Sequence, residues 1–137
     1  MYGNPAIECG GAQVRACSRQ LATVVTVTGD LDDFNLDKVS QYTKRFVLRE
    51  KPVVLDLSAV SSATPHIISL LSELDDACSA AGVEWSVIAS HPVSRALRMF
   101  DDRIELPTVT SVADALNHFA DAILERRRLL PLLTKSA

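Results

Sequence analysis

Hydrophobic and β-branched residues follow a period of two in the first part of the chain. Residues 12–17 alternate alanine or valine with more polar neighbours, as a half-buried strand does. Residues 22–28 are rich in valine and threonine and end at Gly29, a residue typical of turns. With a turn at residues 18–20, this pattern predicts two antiparallel strands joined as a hairpin.

Later segments place apolar residues three or four positions apart, which is the spacing of one helix face. Helices are predicted over residues 35–49, 67–81, 93–100 and 112–123. Short apolar runs between them predict strands at residues 53–57, 83–87 and 104–106. Because strands alternate with helices after the hairpin, we expect an α/β fold with a mixed central sheet of four to five strands and about four helices.

Nearly all residues of the strand at 53–57 are apolar. Alternation is typical of a strand with one solvated face, whereas a continuous apolar run is typical of a strand that is covered on both faces. The segment is therefore predicted to lie in the interior of the sheet.

Length and composition indicate one domain. The chain has 137 residues, of which 47% are hydrophobic and 23% charged, as in globular domains and unlike disordered chains. We expect a flexible N-terminal segment at residues 1–11 and a folded domain at residues 12–125. Residues 126–137 are expected to form a basic and apolar C-terminal tail, broken at Pro131.

Charge and hydropathy narrow the class of partner. The formal net charge of −3 argues against binding to nucleic acid or to an acidic membrane, since both attract clustered cations. No apolar stretch approaches the roughly 18 residues of a membrane-spanning helix, and no basic-then-apolar leader is visible. We therefore predict a cytoplasmic protein, and its oligomeric state stays open.

Motifs that signal catalysis are not found in the sequence. There is no glycine-rich phosphate-binding loop and no serine nucleophile elbow. The histidines at positions 66, 91 and 118 lack the spacing of a zinc site. We therefore expect no enzymatic activity, no cofactor and no metal.

The three cysteines permit different interpretations. Cys9 and Cys17 are either a redox pair or two unrelated thiols, since the sequence does not constrain their geometry. Cys78 continues the apolar face of a predicted helix and is expected in the core.

Four segments, in order, resemble the STAS domain of bacterial anti-sigma factor antagonists. They are the Gly-Asp-Leu-Asp sequence at 29–32, the apolar strand and its exit at 53–61, and the segments at 91–97 and 111–116. The resemblance covers roughly residues 12–124. It implies a transcription regulator that binds an anti-sigma factor, a GHKL-type kinase-like protein, and so frees a sigma factor.

The chain departs from this family at the phosphorylation site. In the family the strand exit reads Asp-Ser-Ser-Gly, and the partner kinase phosphorylates the serine that follows the aspartate. The matching residues here are Thr64, Pro65, His66 and Ile67. Pro65 has no hydroxyl, so the resemblance implies an antagonist without the usual serine switch. Thr64 is a suitable helix N-cap and Pro65 a suitable first helical residue.

Partner-binding residues are predicted at this helix start and in the loop that follows the second strand. They are Thr64, Pro65, His66, Ser69, Asp30 and Asp32. Ser61, Ser62 and Thr64 are alternative phosphate acceptors, unless the two serines are plain loop residues and the threonine a cap. STAS-like modules also serve as regulatory or scaffold subunits of transporters and signalling complexes, and this alternative function stays open.

Overall fold

The computed structural model describes residues 6–47, 51–100 and 106–135, with only the backbone described at Phe100 and beyond residue 125. The strands are β1 (Ile7–Cys9), β2 (Ala12–Ser18), β3 (Thr23–Leu31), β4 (Val53–Ala63) and β5 (Trp85–Ala89). The helices are α1 (Leu36–Lys44), α2 (Ile67–Ala81), α3 (His91–Phe100) and α4 (Val112–Lys135). This architecture confirms the α/β class with a mixed sheet.

The five strands lie in the order β1-β2-β3-β4-β5. The pairs β1–β2 and β2–β3 are antiparallel, whereas β3–β4 and β4–β5 are parallel. Parallel neighbours end at the same edge of a sheet, so the carboxyl ends of β3 and β4 lie side by side. At that edge Asp30 is opposite Ser62 and Leu31 is opposite Ala63.

Apolar side chains cover both faces of the sheet. One face packs against α1, α2 and α3, through residues that include Val39, Leu71 and Val93. The other face packs against α4, where Ala115 and Phe119 contact a smaller buried cluster. The helices therefore lie mainly on one face, and α4 covers the other.

Strand β4 is buried on both faces, as predicted from its apolar sequence. Leu55 and Leu57 belong to the larger core, whereas Val54 belongs to the smaller cluster under α4. Each of these three residues is fully buried. The strand lies between β3 and β5 and continues to Ala63, well past the predicted end at residue 57.

A flexible N-terminal segment was expected at residues 1–11, and this is wrong for residues 7–11. Ile7–Cys9 forms strand β1, which pairs with β2 across a tight turn at Gly10 and Gly11. Both glycines have positive φ angles, +50° and +97°, which residues with a side chain adopt only with strain. A three-residue strand is too short to show a period, so the sequence pattern misses it. Residues 1–5 lie outside the described residues.

Gly29 lies where two backbone segments approach closely. Its φ is +93°, and a Cβ added there would lie 2.4 Å from the carbonyl oxygen of Gly11. The next residue, Asp30, donates its backbone N–H to that same oxygen over 2.9 Å. Only glycine fits this approach, which ties the first hairpin turn to the end of β3.

The structure does not support a redox pair between Cys9 and Cys17. Cys9 is opposite Ala12 in the β1–β2 pairing, and Cys17 lies five residues farther along β2. At about 3.4 Å per residue the two are about 17 Å apart, beyond the roughly 7 Å limit of a disulfide. Cys9 is buried while Cys17 is exposed, and both are free thiols.

Cys78 lies in the core, as predicted. Its side chain is buried on α2, and burial raises the pKa of the thiol to about 11, with a smaller contribution from Asp75. A thiol with so high a pKa remains protonated at neutral pH and is a poor nucleophile.

Several predicted boundaries need correction. Helix α1 ends at Lys44 rather than at residue 49, and residues 48–50 lie outside the described part of the chain. Of the strand predicted at 104–106, residues 104 and 105 also lie outside it, and Leu106 belongs to no strand. An isolated parallel bridge joins Thr108 to Val87 instead.

The predicted C-terminal tail continues the last helix. Helix α4 extends to Lys135 and includes Pro131, so neither the boundary at residue 125 nor the break at Pro131 is seen. Proline removes one helical hydrogen bond and is unfavourable in a helix interior, and nothing in the described residues explains why α4 continues through Pro131. In the part of the chain that the structure describes, no helix combines the length and apolarity needed to cross a membrane.

Because β4 is buried, a substitution that removes apolar atoms from it should destabilise the fold. Leu57→Ala is expected to lower the free energy of unfolding by about 2–5 kcal/mol, because it removes packed methyl groups and leaves a cavity. Urea unfolding followed by circular dichroism measures the change. Leu124→Ala is the control, since Leu124 is 59% exposed and its loss should cost less than about 0.5 kcal/mol. An equally small cost for Leu57→Ala would contradict the proposed packing of β4.

Candidate functional site

The candidate site lies at the edge of the sheet where β3 and β4 end. A turn at residues 32–35 leads from β3 into α1, and a turn at residues 64–66 leads from β4 into α2. The backbone N–H of Thr64 donates to the carbonyl oxygen of Leu31 over 3.0 Å, which joins the two strand ends. In open α/β sheets, binding sites commonly form outside the carboxyl ends of parallel strands.

Hydrogen bonds hold the turn between β3 and α1 rigidly. Asp32 Oδ1 accepts the backbone N–H groups of Phe34 and Asn35 over 2.8 and 2.9 Å. Asn35 Oδ1 in return accepts the N–H of Asp32 over 2.9 Å. The buried Asn35 side chain also donates to the carbonyl oxygens of Gly10 and Asp30. Asp32 therefore shapes the turn, and the turn is anchored to the first hairpin.

Asp33 connects this turn to the start of α2. Its Oδ1 accepts a hydrogen bond from Thr64 Oγ1 and another from His66 Nδ1, each over 2.8 Å. Nδ1 must therefore carry a proton, in the neutral or the charged form of the imidazole. These bonds, first that from His66 and then that from Thr64, hold the pKa of Asp33 below its usual value.

The start of α2 differs from the predicted cap. The N-cap is His66 and the first helical residue is Ile67, so Thr64 is not the N-cap and Pro65 precedes the helix. The N–H of Ile67 donates to the carbonyl oxygen of Thr64 over 3.0 Å, which forms a tight turn before the helix. The Thr64 hydroxyl is partly used as predicted, since it accepts the N–H of His66 over 3.4 Å, but it also donates to Asp33.

The last residues of β4 were expected to form a loop, and this is wrong. Ser61 and Ser62 belong to β4, because the strand remains paired with β3 as far as Ala63. Ser62 Oγ donates to Asp30 Oδ1 over 2.8 Å, so Asp30 links the ends of the two strands.

The predicted partner-binding residues lie at one end of the molecule. Asp30, Asp32, Thr64, Pro65 and His66 belong to the two strand ends and the turns after them. Ser69 is exposed on the first turn of α2, and its N–H donates to the carbonyl oxygen of His66. We call the turns at 32–35 and 64–66, with Asp30 and Ser69, the docking edge.

Asp33 is the central residue that the sequence patterns missed. In the sequence it is one of two adjacent aspartates, which is most often a sign of solvated surface. The signal available was its position directly after the Gly-Asp-Leu-Asp segment. Its partners lie 31 and 33 residues away in the chain, and no spacing rule connects them.

Exposed apolar and basic side chains lie on the docking edge and beside it. Phe34, in the turn that holds Asp33, is 94% exposed. On the other side, an open groove runs between the end of β4 and α3, and Pro65, Arg95 and Met99 help to line it. The edge thus presents an acidic and aromatic side next to α1 and a groove with a basic residue next to α3.

Comparison with known families agrees with this fold. The family model described as STAS domain matches residues 13–115, which is most of the chain. The chain belongs to the STAS domain family. It is 46% identical over 140 residues to Osmosensory protein A of Mycobacterium tuberculosis (strain ATCC 25618 / H37Rv), covering 98% of this chain and 89% of that protein.

Solved structures of anti-sigma factor antagonists share the fold. One from Mycobacterium paratuberculosis is 21% identical with a TM-score of 0.66, covering 80% of this chain and 94% of that chain. Unphosphorylated SpoIIAA is 8% identical with a TM-score of 0.62, covering 79% and 96%. A STAS domain protein from Planctomyces limnophilus is 14% identical with a TM-score of 0.63, covering 78% and 97%. At these identities the likeness concerns the fold alone.

The contact between Asp33 and His66 predicts a shift in titration. His66→Ala removes the main hydrogen-bond donor, so the pKa of Asp33 should rise toward its usual value, as followed by NMR of its carboxyl carbon. His118→Ala is the control, since His118 lies near Glu84 rather than at the docking edge. An Asp33 pKa that does not move in His66→Ala would show that the two side chains are apart in solution.

The same contact has a defined effect on stability. Because folding lowers the pKa of Asp33, its ionised form stabilises the fold at pH values above the unfolded-state pKa. This contribution is lost as the pH falls through the folded-state pKa. In His66→Ala the part of this contribution that comes from His66 should be missing at neutral pH, so the free energy of unfolding should fall less from neutral to acid pH than in the native protein. Urea unfolding at a series of pH values measures this difference.

Proposed function

We propose that this protein is an anti-sigma factor antagonist, which binds an anti-sigma factor through the docking edge and so frees a sigma factor in the cytoplasm. The main support is that Asp33, Thr64 and His66 form an ordered hydrogen-bonded surface, with the side chains of Asp33 and His66 58% and 66% exposed. The structural neighbours, which are anti-sigma factor antagonists, support the same role. The protein acts by binding, and catalysis is not part of the proposed role.

The absence of a hydroxyl at residue 65 supports a constitutive antagonist. Pro65 cannot accept a phosphate, and the two nearest hydroxyls already face carboxylates. Ser62 donates to Asp30, and Thr64 donates to Asp33. A phosphate on either residue would add nearly two negative charges beside an existing one and would be repelled. Phosphorylation of Ser62 or Thr64 is therefore disfavoured as an off-signal.

The 46% identical relative adds a physiological context and a second candidate. Its name, Osmosensory protein A, favours osmotic stress as the condition under which this protein acts. A scaffold role in an osmotic signalling complex would use the same exposed edge with a different partner. The identity of the partner that binds the docking edge with high affinity distinguishes the two roles. An anti-sigma factor would favour the antagonist, and a component of an osmotic signalling complex would favour the scaffold.

A single substitution at the docking edge should weaken the complex. In Pro65→Arg a long charged side chain replaces a compact ring at the centre of the edge, and we expect the affinity for the anti-sigma factor to fall at least about tenfold. Isothermal titration calorimetry against a purified GHKL-type anti-sigma factor measures it. His66→Glu should act similarly, because it places a second carboxylate beside Asp33.

The matched control is Pro107→Arg. Pro65 is half-buried and Pro107 is exposed, and Pro107 helps to line an open groove with Cys78 and Ser79, near the far end of α2. This variant should bind normally, and circular dichroism should show all three variants folded. Normal binding by both Pro65→Arg and His66→Glu would mean that the docking edge is not the interface.

A phosphotransfer assay tests the constitutive character. Incubation with the partner kinase and ATP, followed by mass spectrometry, should leave Ser61, Ser62 and Thr64 without stoichiometric phosphate. Pro65→Ser is the companion variant, because it places a hydroxyl where the family carries its acceptor. Stoichiometric phosphate on any of the three native hydroxyls would overturn the proposal that the protein is a constitutive antagonist.

A further inference from the structure

Phe34 is the most exposed large hydrophobic side chain among the described residues. Its exposed fraction is 94%, compared with 74% for Met99 and 59% for Leu124. Burying a phenylalanine side chain stabilises a fold or a complex relative to leaving it in water. Almost none of this stabilisation is gained within the domain, so it is available to a contact with another molecule.

The backbone at Phe34 is held in place. Its N–H donates to Asp32 Oδ1 over 2.8 Å, and the next residue, Asn35, is buried and bonded to Gly10 and Asp30. Asp33, on the other side, is bonded to Thr64 and His66. A side chain on an ordered turn loses less entropy on binding than one on a mobile loop. Aromatic residues presented in this way are typical hot spots of protein interfaces.

Acidic residues lie close to Phe34 in the chain. Residues 30–38 contain four aspartates and one lysine, Lys38. Asp37 is exposed on the first turn of α1, three residues after Phe34. Asp33 remains exposed although His66 pairs with it. The chemistry that complements this surface is an apolar pocket with cationic side chains at its rim.

We propose that Phe34 is the anchor of the complex and inserts into an apolar pocket on the anti-sigma factor whose rim carries lysine or arginine. The inference rests on the proposed function and adds to it the chemistry of the partner surface. The docking edge then provides orientation through Asp33, Thr64 and His66, while the Phe34 ring provides most of the apolar burial.

The charges favour a basic partner over a second copy of the same chain. In a symmetric dimer the same patch faces itself, so the aspartates around Phe34 would oppose their own counterparts. Like charges brought together in this way cost binding energy. An acidic membrane surface is disfavoured for the same reason.

Binding kinetics with a purified GHKL-type anti-sigma factor test the anchor. Phe34→Ala should weaken the affinity at least about tenfold, mainly through faster dissociation, and Phe34→Trp should retain most of it. The unfolding midpoint should not change, because the ring is 94% exposed. Leu124→Ala removes another exposed apolar side chain, on α4, and should bind like the native protein.

Asp37→Asn tests the cationic rim. It should slow association at low salt, and the difference from the native protein should disappear at high salt, because salt screens exposed charges. An unchanged association rate at low salt would overturn the proposed rim chemistry.

The outcomes separate the anchor from the proposed function. Normal affinity of Phe34→Ala alongside weak binding of Pro65→Arg would overturn the anchor and leave the proposed function in place. If the native protein binds no anti-sigma factor, both proposals fail. A native dimer that Phe34→Ala dissociates, with unchanged affinity for the anti-sigma factor, would assign the ring to self-association and also overturn the anchor.

Discussion

The parallel pairing of β3 with β4 is the constraint on which the candidate site depends. Two strands that run in the same direction end at the same edge, so the turns that follow them meet. Here the pairing places Asp30 opposite Ser62, and it brings the N–H of Thr64 to the carbonyl oxygen of Leu31. In an antiparallel pair these ends would lie at opposite edges of the sheet, too far apart for a side chain to bridge.

At that edge one carboxylate joins the two turns. Asp33 is exposed, so each of its hydrogen bonds contributes little to stability, and its main effect is geometric. It orients the tip of α2 relative to the turn that carries Phe34. Under the proposed function, the partner binds a surface that is already ordered, which reduces the entropy cost of association.

Pro65 changes how such a complex is controlled. A phosphate on a serine at this position would add nearly two negative charges to the docking edge. Pro65 has no hydroxyl, so that switch is missing at this residue. Under the proposed function, control passes to the amounts of the two proteins or to a signal at another position.

The sequence by itself determined the order of β2 to β5 and of the four helices, the burial of β4 and the resemblance to the STAS domain. The strands and helices follow from the spacing of apolar residues along the chain, because buried positions recur with the period of the helix or strand. The resemblance follows from short motifs of consecutive residues. The sequence did not determine β1, the length of α4 beyond Pro131, or the contact of Asp33 with Thr64 and His66. Strand β1 is too short to show a period, and the Asp33 contact joins residues more than 30 positions apart. Only the register of β3 on β4 brings them together, and register is a property of the folded sheet.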